Sequence, residues 1–145
     1  MKYEAIIEIP KGSDRRIHMK YDRSGFDDFG PIKEKIPISD GVMPVFYGYI
    51  ENAVNKIEKD NVDVIIFSNK SYETGDKVEV EIIGLLNRED GDHKIIAIDD
   101  SVSYKDFSEI PLNERKLILD YFGYKHAIIV KDMNEAFEYL TECMV

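Results

Sequence analysis

The sequence predicts an α+β fold that is mainly β: a closed or partly closed barrel with two C-terminal helices packed outside it. Three observations carry this. Apolar and polar residues alternate with period two in several stretches between residues 3 and 98. Helical periodicity appears only after residue 110. No repeat, low-complexity tract or linker interrupts the 145 residues, so a single domain spanning 1–145 is expected.

The elements follow in order. Residues 3–9, "YEAIIEI", read as a strand stopped by Pro10, and "KGSD" as a hairpin turn into a second strand. In "RRIHMKYD", 15–22, Ile17, Met19 and Tyr21 share one face, and Arg16, His18, Lys20 and Asp22 the other. "SGFDDFGP" reads as a loop, and 32–38 as an edge strand limited by Pro37. "PVFYGYI", 44–50, is aromatic and extended, and residues 62–67 form a buried strand. "DKVEVEIIGLL", 76–86, sets Val78, Val80 and Ile82 against Glu79 and Glu81, as a half-exposed strand does. "HKIIAI", 93–98, follows as another. The first helix spans 111–122, with Pro111 in its first turn and Leu112, Lys116, Leu119 and Phe122 on one stripe. The second spans 133–142, with a D-x-x-E start at Asp132 and Glu135.

The formal net charge is −10, with 29 Asp and Glu against 19 Lys and Arg. That disfavours binding to a phosphate backbone, so no nucleic-acid partner is expected. No apolar run is long enough to span a bilayer, and "MKYEAIIEIPKG" lacks the apolar core of a secretory signal. Cys143 is the one cysteine, which leaves no internal disulfide and no cysteine-rich zinc site. A soluble cytoplasmic protein with no membrane partner is the expectation.

The chemistry concentrates in two acidic clusters. Glu58, Asp60 and Asp63 lie in "EKDNVDVIIF", at the start of the most apolar strand, and a buried carboxylate is costly unless it is paired or binds metal. Asp90 and Asp92 lie in "NREDGDHKIIA"; if the chain is extended there, Asp90, Asp92 and Lys94 share one face. Converging carboxylates of this kind call for a hard divalent ion, although D-G-D is equally a common surface turn. His18, His93 and His126 form no recognisable metal motif. "DNVD" lacks the glycine and distal glutamate of an EF-hand, and no glycine-rich phosphate loop is present.

With these residues in view, the chain resembles the family I soluble inorganic pyrophosphatases. The likeness runs from "IIEIPKGS" through "YDRSG", "VFYGYI", "EKDNVDVIIF", "ETGDKVEVEIIGLL" and "EDGDHKIIA" to "YFGYK". Its most specific part is the family's D-x-D-x-x-D, standing here as Glu58-x-Asp60-x-x-Asp63. The resemblance implies a five-stranded OB-like barrel and Mg²⁺-dependent hydrolysis of pyrophosphate, with Mn²⁺ or another divalent ion as a substitute. It implies that Glu58, Asp63 and Asp92 hold the ion that activates water, that Asp90 and Asp92 hold one arriving with substrate, and that Glu8 faces a further ion through water. Asp60 would orient the attacking water and take its proton. Tyr47, Lys94, Tyr124 and Lys125 would bind phosphate oxygens.

The chain departs from the family at four of these places. His18 and Lys20 stand where the family carries lysine and glutamate, Lys35 where it carries arginine, and Glu58 where it carries aspartate. The metal end is nearly intact and the phosphate end is altered, so the resemblance implies a divergent member, with pyrophosphate or a related phosphoanhydride as the expected substrate. His18 and Lys20 are expected to border the metal cleft, with His18 charged below about pH 6.5. The alternative is a catalytically weakened relative that binds metal or phosphate in a regulatory or assembly role. Members of the family resembled form homo-oligomers, commonly hexamers, and a homo-oligomer is expected here.

Overall fold

The computed structural model describes residues 2–145. In chain order the strands are β1 (Lys2–Ile9), β2 (Arg15–Met19), β3 (Phe26–Pro31), β4 (Phe46–Asn55), β5 (Asp60–Phe67), β6 (Lys77–Arg88), β7 (Lys94–Ile98) and β8 (Ile128–Lys131). The helices are α1 (Leu112–Phe122) and α2 (Met133–Cys143). Strands β1, β4, β5, β7 and β6 lie side by side, and β6 pairs back onto β1 to close a five-stranded barrel. Strand β8 lies along the last residues of β6. All these pairs are antiparallel except β5 with β7. Strands β2 and β3 form a separate ribbon. No helix among the described residues is long and apolar enough to cross a membrane.

Period-two alternation sorts the strand side chains into two apolar clusters. Val62, Val64 and Ile66 join one, together with Ala136, Leu140 and Cys143 of α2. Ile65 and Phe67 join the other, together with Ile118, Tyr121 and Phe122 of α1. Each fully buried aliphatic or aromatic side chain contributes about 1.5–3 kcal/mol. Asp63 therefore shares a face with Ile65 and Phe67, at the end of the strand where the apolar cover stops. In β4, the backbones approach so closely that a Cβ on Gly48 would lie 1.8 Å from the Ile6 carbonyl oxygen, so the "YGY" step admits glycine alone. Helix α2 starts as its sequence dictates: the Asp132 carboxylate accepts the Glu135 N–H at 2.9 Å.

Several local expectations need correction. Residues 26–31 are a strand, not a loop, because β3 finds a partner in β2 and a two-pronged Arg15–Asp28 ion pair at 3.0 Å on the ribbon. Residues 32–38 are not an edge strand; Ile32–Glu34 make a short 3₁₀ turn that buries Ile32. The "KGSD" turn does not close a hairpin, since β1 pairs with β4 and β6, and β2 with β3. Tyr21 lies past the end of β2, 84% exposed, and its hydroxyl donates to the Lys59 carbonyl. Pro111 precedes the first turn of α1, and the buried stripe of that helix is Ile118, Tyr121 and Phe122, with Leu112 65% exposed. Strand β8 was not anticipated; it pairs with β6 over only four residues.

Candidate active site

Two turns build an acidic end. Asn55, buried at the end of β4, accepts the backbone N–H of Ile57 (2.9 Å) and of Glu58 (3.2 Å) through Oδ1. Its Nδ2 donates to the Gly91 carbonyl at 3.0 Å. One amide thus pins the turn carrying Glu58 to the turn carrying Asp90 and Asp92. Gly91 has φ +83°, and a Cβ there would lie 2.9 Å from Ile57 Cδ1, so glycine suits both the backbone and the contact. Carboxylate oxygens of Glu58, Asp90 and Asp92 consequently lie within 4.8 Å of one another. Such an oxygen-only set fits a hard divalent cation, the ion that the resemblance implies.

A cationic pair lies beside these acids. Lys94, the first residue of β7, stands opposite Asp63 in the parallel register. Its side chain is 4% exposed, and its ammonium reaches Asp63 Oδ2 at 2.7 Å and Asp92 Oδ1 at 3.0 Å, and donates to the Tyr47 hydroxyl at 3.1 Å. Burial pushes the Asp63 carboxyl upward, and the Lys94 ammonium opposes that rise. Burial works against the Lys94 charge too, but the two carboxylates outweigh it and raise its pKa. The acid inside the apolar strand is therefore compensated by a lysine within the chain itself. Arg88, the last residue of β6, forks onto Asp90 with Nε–Oδ1 at 2.8 Å and Nη2–Oδ2 at 2.6 Å, and Nη2 also reaches Asp92 Oδ2 at 3.3 Å. That fork holds the Asp90 carboxyl far below the usual carboxylate range.

Glu8 occupies a bulge. Ile7 pairs with Gly48 and Ile9 with Tyr47, so Glu8 has no partner opposite and its side chain turns inward. Its carboxylate, 5% exposed, accepts the Met19 N–H at 2.7 Å and lies 3.8 Å from His18 Nδ1. Burial pushes its pKa up to about 8 from an ordinary 4.5, with Asp63 and Asp60 adding to the rise. His18 moves the other way: burial first, then Arg16 and Lys94, lower its pKa. The expectation that His18 charges below about pH 6.5 is thus corrected, because a half-buried imidazole beside two cations resists protonation.

A stability prediction follows from Glu8. Above its unfolded pKa near 4.5, the folded protein keeps a proton that the unfolded chain has released. Stability therefore falls as pH rises from about 4.5 to about 8, then levels. Glu8→Gln removes that loss and is expected to gain about 2–4 kcal/mol at pH 8.5 in chelator, and nearly nothing at pH 4.5. Urea unfolding of both proteins at the two pH values checks this; equal gains at both would refute the assignment.

Four cations, Arg16, Lys35, Arg88 and Lys94, and the imidazole of His18 converge on a cleft of about 210 Å³ with an apolar wall that includes Tyr47, Tyr121 and Phe122. The rings of Tyr47 and Phe122 stack at 5.8 Å. A larger cavity of about 530 Å³ lies elsewhere, beside Lys77–Glu81 and Ile98–Asp100, and contains none of the anticipated residues. Of those residues, Lys94, Tyr47, His18, Lys35 and Asp92 line the cleft. Glu58 and Asp90 lie with Asp92 at its acidic end. Asp60 is exposed at the start of β5, outside the Glu58–Asp90–Asp92 group, with Oδ1 accepting the Asn61 N–H at 2.7 Å. Tyr124 and exposed Lys125 follow Gly123 just past the end of α1, the lysine ammonium 5.3 Å from the Tyr124 ring, and neither lines the cleft. Lys20 is also outside it, exposed and 3.6 Å from Asp27. His93 is structural, its Nδ1 accepting the Arg88 N–H at 2.9 Å.

Sequence reasoning missed three contributors. Arg88 carried a usable signal: the alternation that groups Asp90, Asp92 and Lys94 extends two residues back to it. Arg16 falls on the polar face of its strand by alternation, and it lines the cleft. Asn55 carried no signal, because its function is the bond to Gly91, 36 residues away.

A family model described as inorganic pyrophosphatase matches residues 5–142. The inorganic pyrophosphatase of Ureaplasma parvum is 32% identical over 134 residues, covering 87% of this chain and 71% of that protein. That of Sulfolobus acidocaldarius is 31% identical over 129 residues, covering 82% and 70%. The crystal structure of the inorganic pyrophosphatase from Ehrlichia chaffeensis superposes with a TM-score of 0.86 at 22% identity, over 99% of this chain and 93% of that one.

Proposed function

The chain belongs to the inorganic pyrophosphatase family, and we propose that it hydrolyses pyrophosphate to two phosphates with a divalent cation, Mg²⁺ first and Mn²⁺ as a substitute. The observation that supports this most is the meeting of Glu58, Asp90 and Asp92 within 4.8 Å beside a cleft lined by lysine and arginine. Acids to hold a cation and cations to hold a phosphoanhydride stand next to each other.

Glu58, Asp90 and Asp92 would hold the ion, with Asp63 and Glu8 as further carboxylates around it. When bound, the ion supplies charge neutralisation and acidifies a coordinated water. Asp60 is the base that orients the attacking water and takes its proton. Lys94 and Tyr47 bind phosphate oxygens at the floor of the cleft, where a buried ammonium counters the charge developing on the leaving phosphate. Lys35 and His18 bind from the walls, and Tyr124 and Lys125 from the segment after Phe122. Lysine at position 35 gives a point charge rather than the two-pronged grip of arginine. Lys20, paired with Asp27, takes no part. The whole chain, 1–145, acts as one domain in a cytoplasmic homo-oligomer, a hexamer by family resemblance.

The test is phosphate release from pyrophosphate with Mg²⁺ or Mn²⁺, against chelator and a panel of nucleoside triphosphates and polyphosphate. Metal-dependent release from pyrophosphate is expected. No release above buffer from any of these substrates, with either metal and micromolar protein, would overturn the reading and favour a binding role.

A further inference from the structure

Every oxygen of Asp90 and Asp92 is engaged by a cation of the chain. Arg88 holds both Asp90 oxygens and Asp92 Oδ2, and Lys94 holds Asp92 Oδ1. His126 Nδ1 adds a contact to Asp90 Oδ2 at 3.7 Å. A divalent cation taking these carboxylates meets Arg88 at the same oxygens, and like charge then drives the guanidinium away. Arg88 already borders the phosphate cleft, with Nη1 at 3.5 Å from the Phe122 carbonyl. That cleft also holds Arg16, Lys35 and Lys94, so it is a poor home for another cation unless an anion is present.

We propose that Arg88 is an exchangeable counter-ion: the arriving divalent cation displaces it from Asp90 and Asp92, and it turns to grip a phosphate oxygen in the adjoining cleft. Metal and phosphate then assist each other. The metal frees the guanidinium for phosphate, and phosphate draws the guanidinium off the carboxylates, making them better ligands. Such coupling is reciprocal in affinity. The planar fork suits both duties, since it binds a carboxylate and a phosphate in the same two-pronged way. The inference rests on the proposed function for the divalent cation and for the identity of the anion, not for hydrolysis.

The experiment is Mn²⁺ binding, read from the free-ion EPR signal, with and without millimolar inorganic phosphate, in the wild-type protein, Arg88→Met and Arg88→Lys. Wild type is expected to bind Mn²⁺ about tenfold tighter with phosphate present. Arg88→Met is expected to bind Mn²⁺ alone about tenfold tighter than wild type and to lose most of the phosphate enhancement. If methionine prevents folding, Arg88→Lys decides, because a lysine cannot hold both carboxylates and Mn²⁺ alone then binds tighter than in wild type. Unchanged or weaker Mn²⁺ binding in the folded variant, or an undiminished phosphate effect in Arg88→Met, would overturn the exchange. None of these readings needs turnover, so coupled binding without hydrolysis would sink the proposed activity and leave the exchange standing.

Discussion

Asp60→Asn is expected to lower turnover by about 10²–10⁴-fold, the usual loss when a general base is removed, while Mn²⁺ affinity falls far less than in Asp92→Asn. The difference rests on position. Asp92 belongs to the group of carboxylates within 4.8 Å of one another and is also held by Lys94 and Arg88. Asp60 stands outside that group, exposed, yet its charge reaches both Glu8 and His18. On the proposed reading, a carboxylate near the acids but outside their tight group handles a water rather than holds the ion. The check is kcat at saturating Mg²⁺ beside Mn²⁺ Kd for both variants. Parallel losses of metal affinity and activity in the two would remove the division of roles.

Lys94→Met is expected to cost about 3–5 kcal/mol of stability in chelator, the loss typical of a buried ion pair stripped of one partner. The ammonium serves two carboxylates at once, Asp63 at 2.7 Å and Asp92 at 3.0 Å, and is 4% exposed. Methionine fills much of the space but leaves Asp63 without its cation and Asp92 with Arg88 alone. Adding Asp63→Asn is expected to recover part of the loss, and Mg²⁺ to recover another part by replacing the missing charge. Urea unfolding at pH 7.5 measures all four cases. A cost under about 1 kcal/mol, the scale of an exposed pair, would mean that water already screens the triad.

The fold was legible wherever one face of an element is apolar. Val78, Val80 and Ile82 against Glu79 and Glu81 announce β6, and Asp132 with Glu135 announces α2. It was illegible where a partner makes the element. "FDDFGP" has the composition of a loop and becomes a strand because β2 lies beside it. Ile129 and Val130 of β8 remain largely exposed, so no buried stripe marks them. The candidate site divides in the same way. The acids, Tyr47 and Lys94 could be named from the motif pattern, and Asp90, Asp92 and Lys94 also from alternation. The inward turn of Glu8 depends on a bulge against β4, and the meeting of Glu58 with Asp90 depends on Asn55 and Gly91. Neither is a property of local sequence.

The parallel contact of β5 with β7 gives the molecule a seam. On one side stands the β4–β5 hairpin, bearing Tyr47, Glu58, Asp60 and Asp63; on the other the β6–β7 hairpin, bearing Arg88, Asp90, Asp92 and Lys94. Each hairpin is local in sequence and can form early, whereas joining them closes a longer loop. The contacts across the seam are therefore expected to be made late in folding, so that what strengthens them would act mainly by slowing the escape from the native state. A ligand held by acids from both hairpins is a clasp on that seam. Its presence would govern how long the barrel survives far more than how fast it assembles.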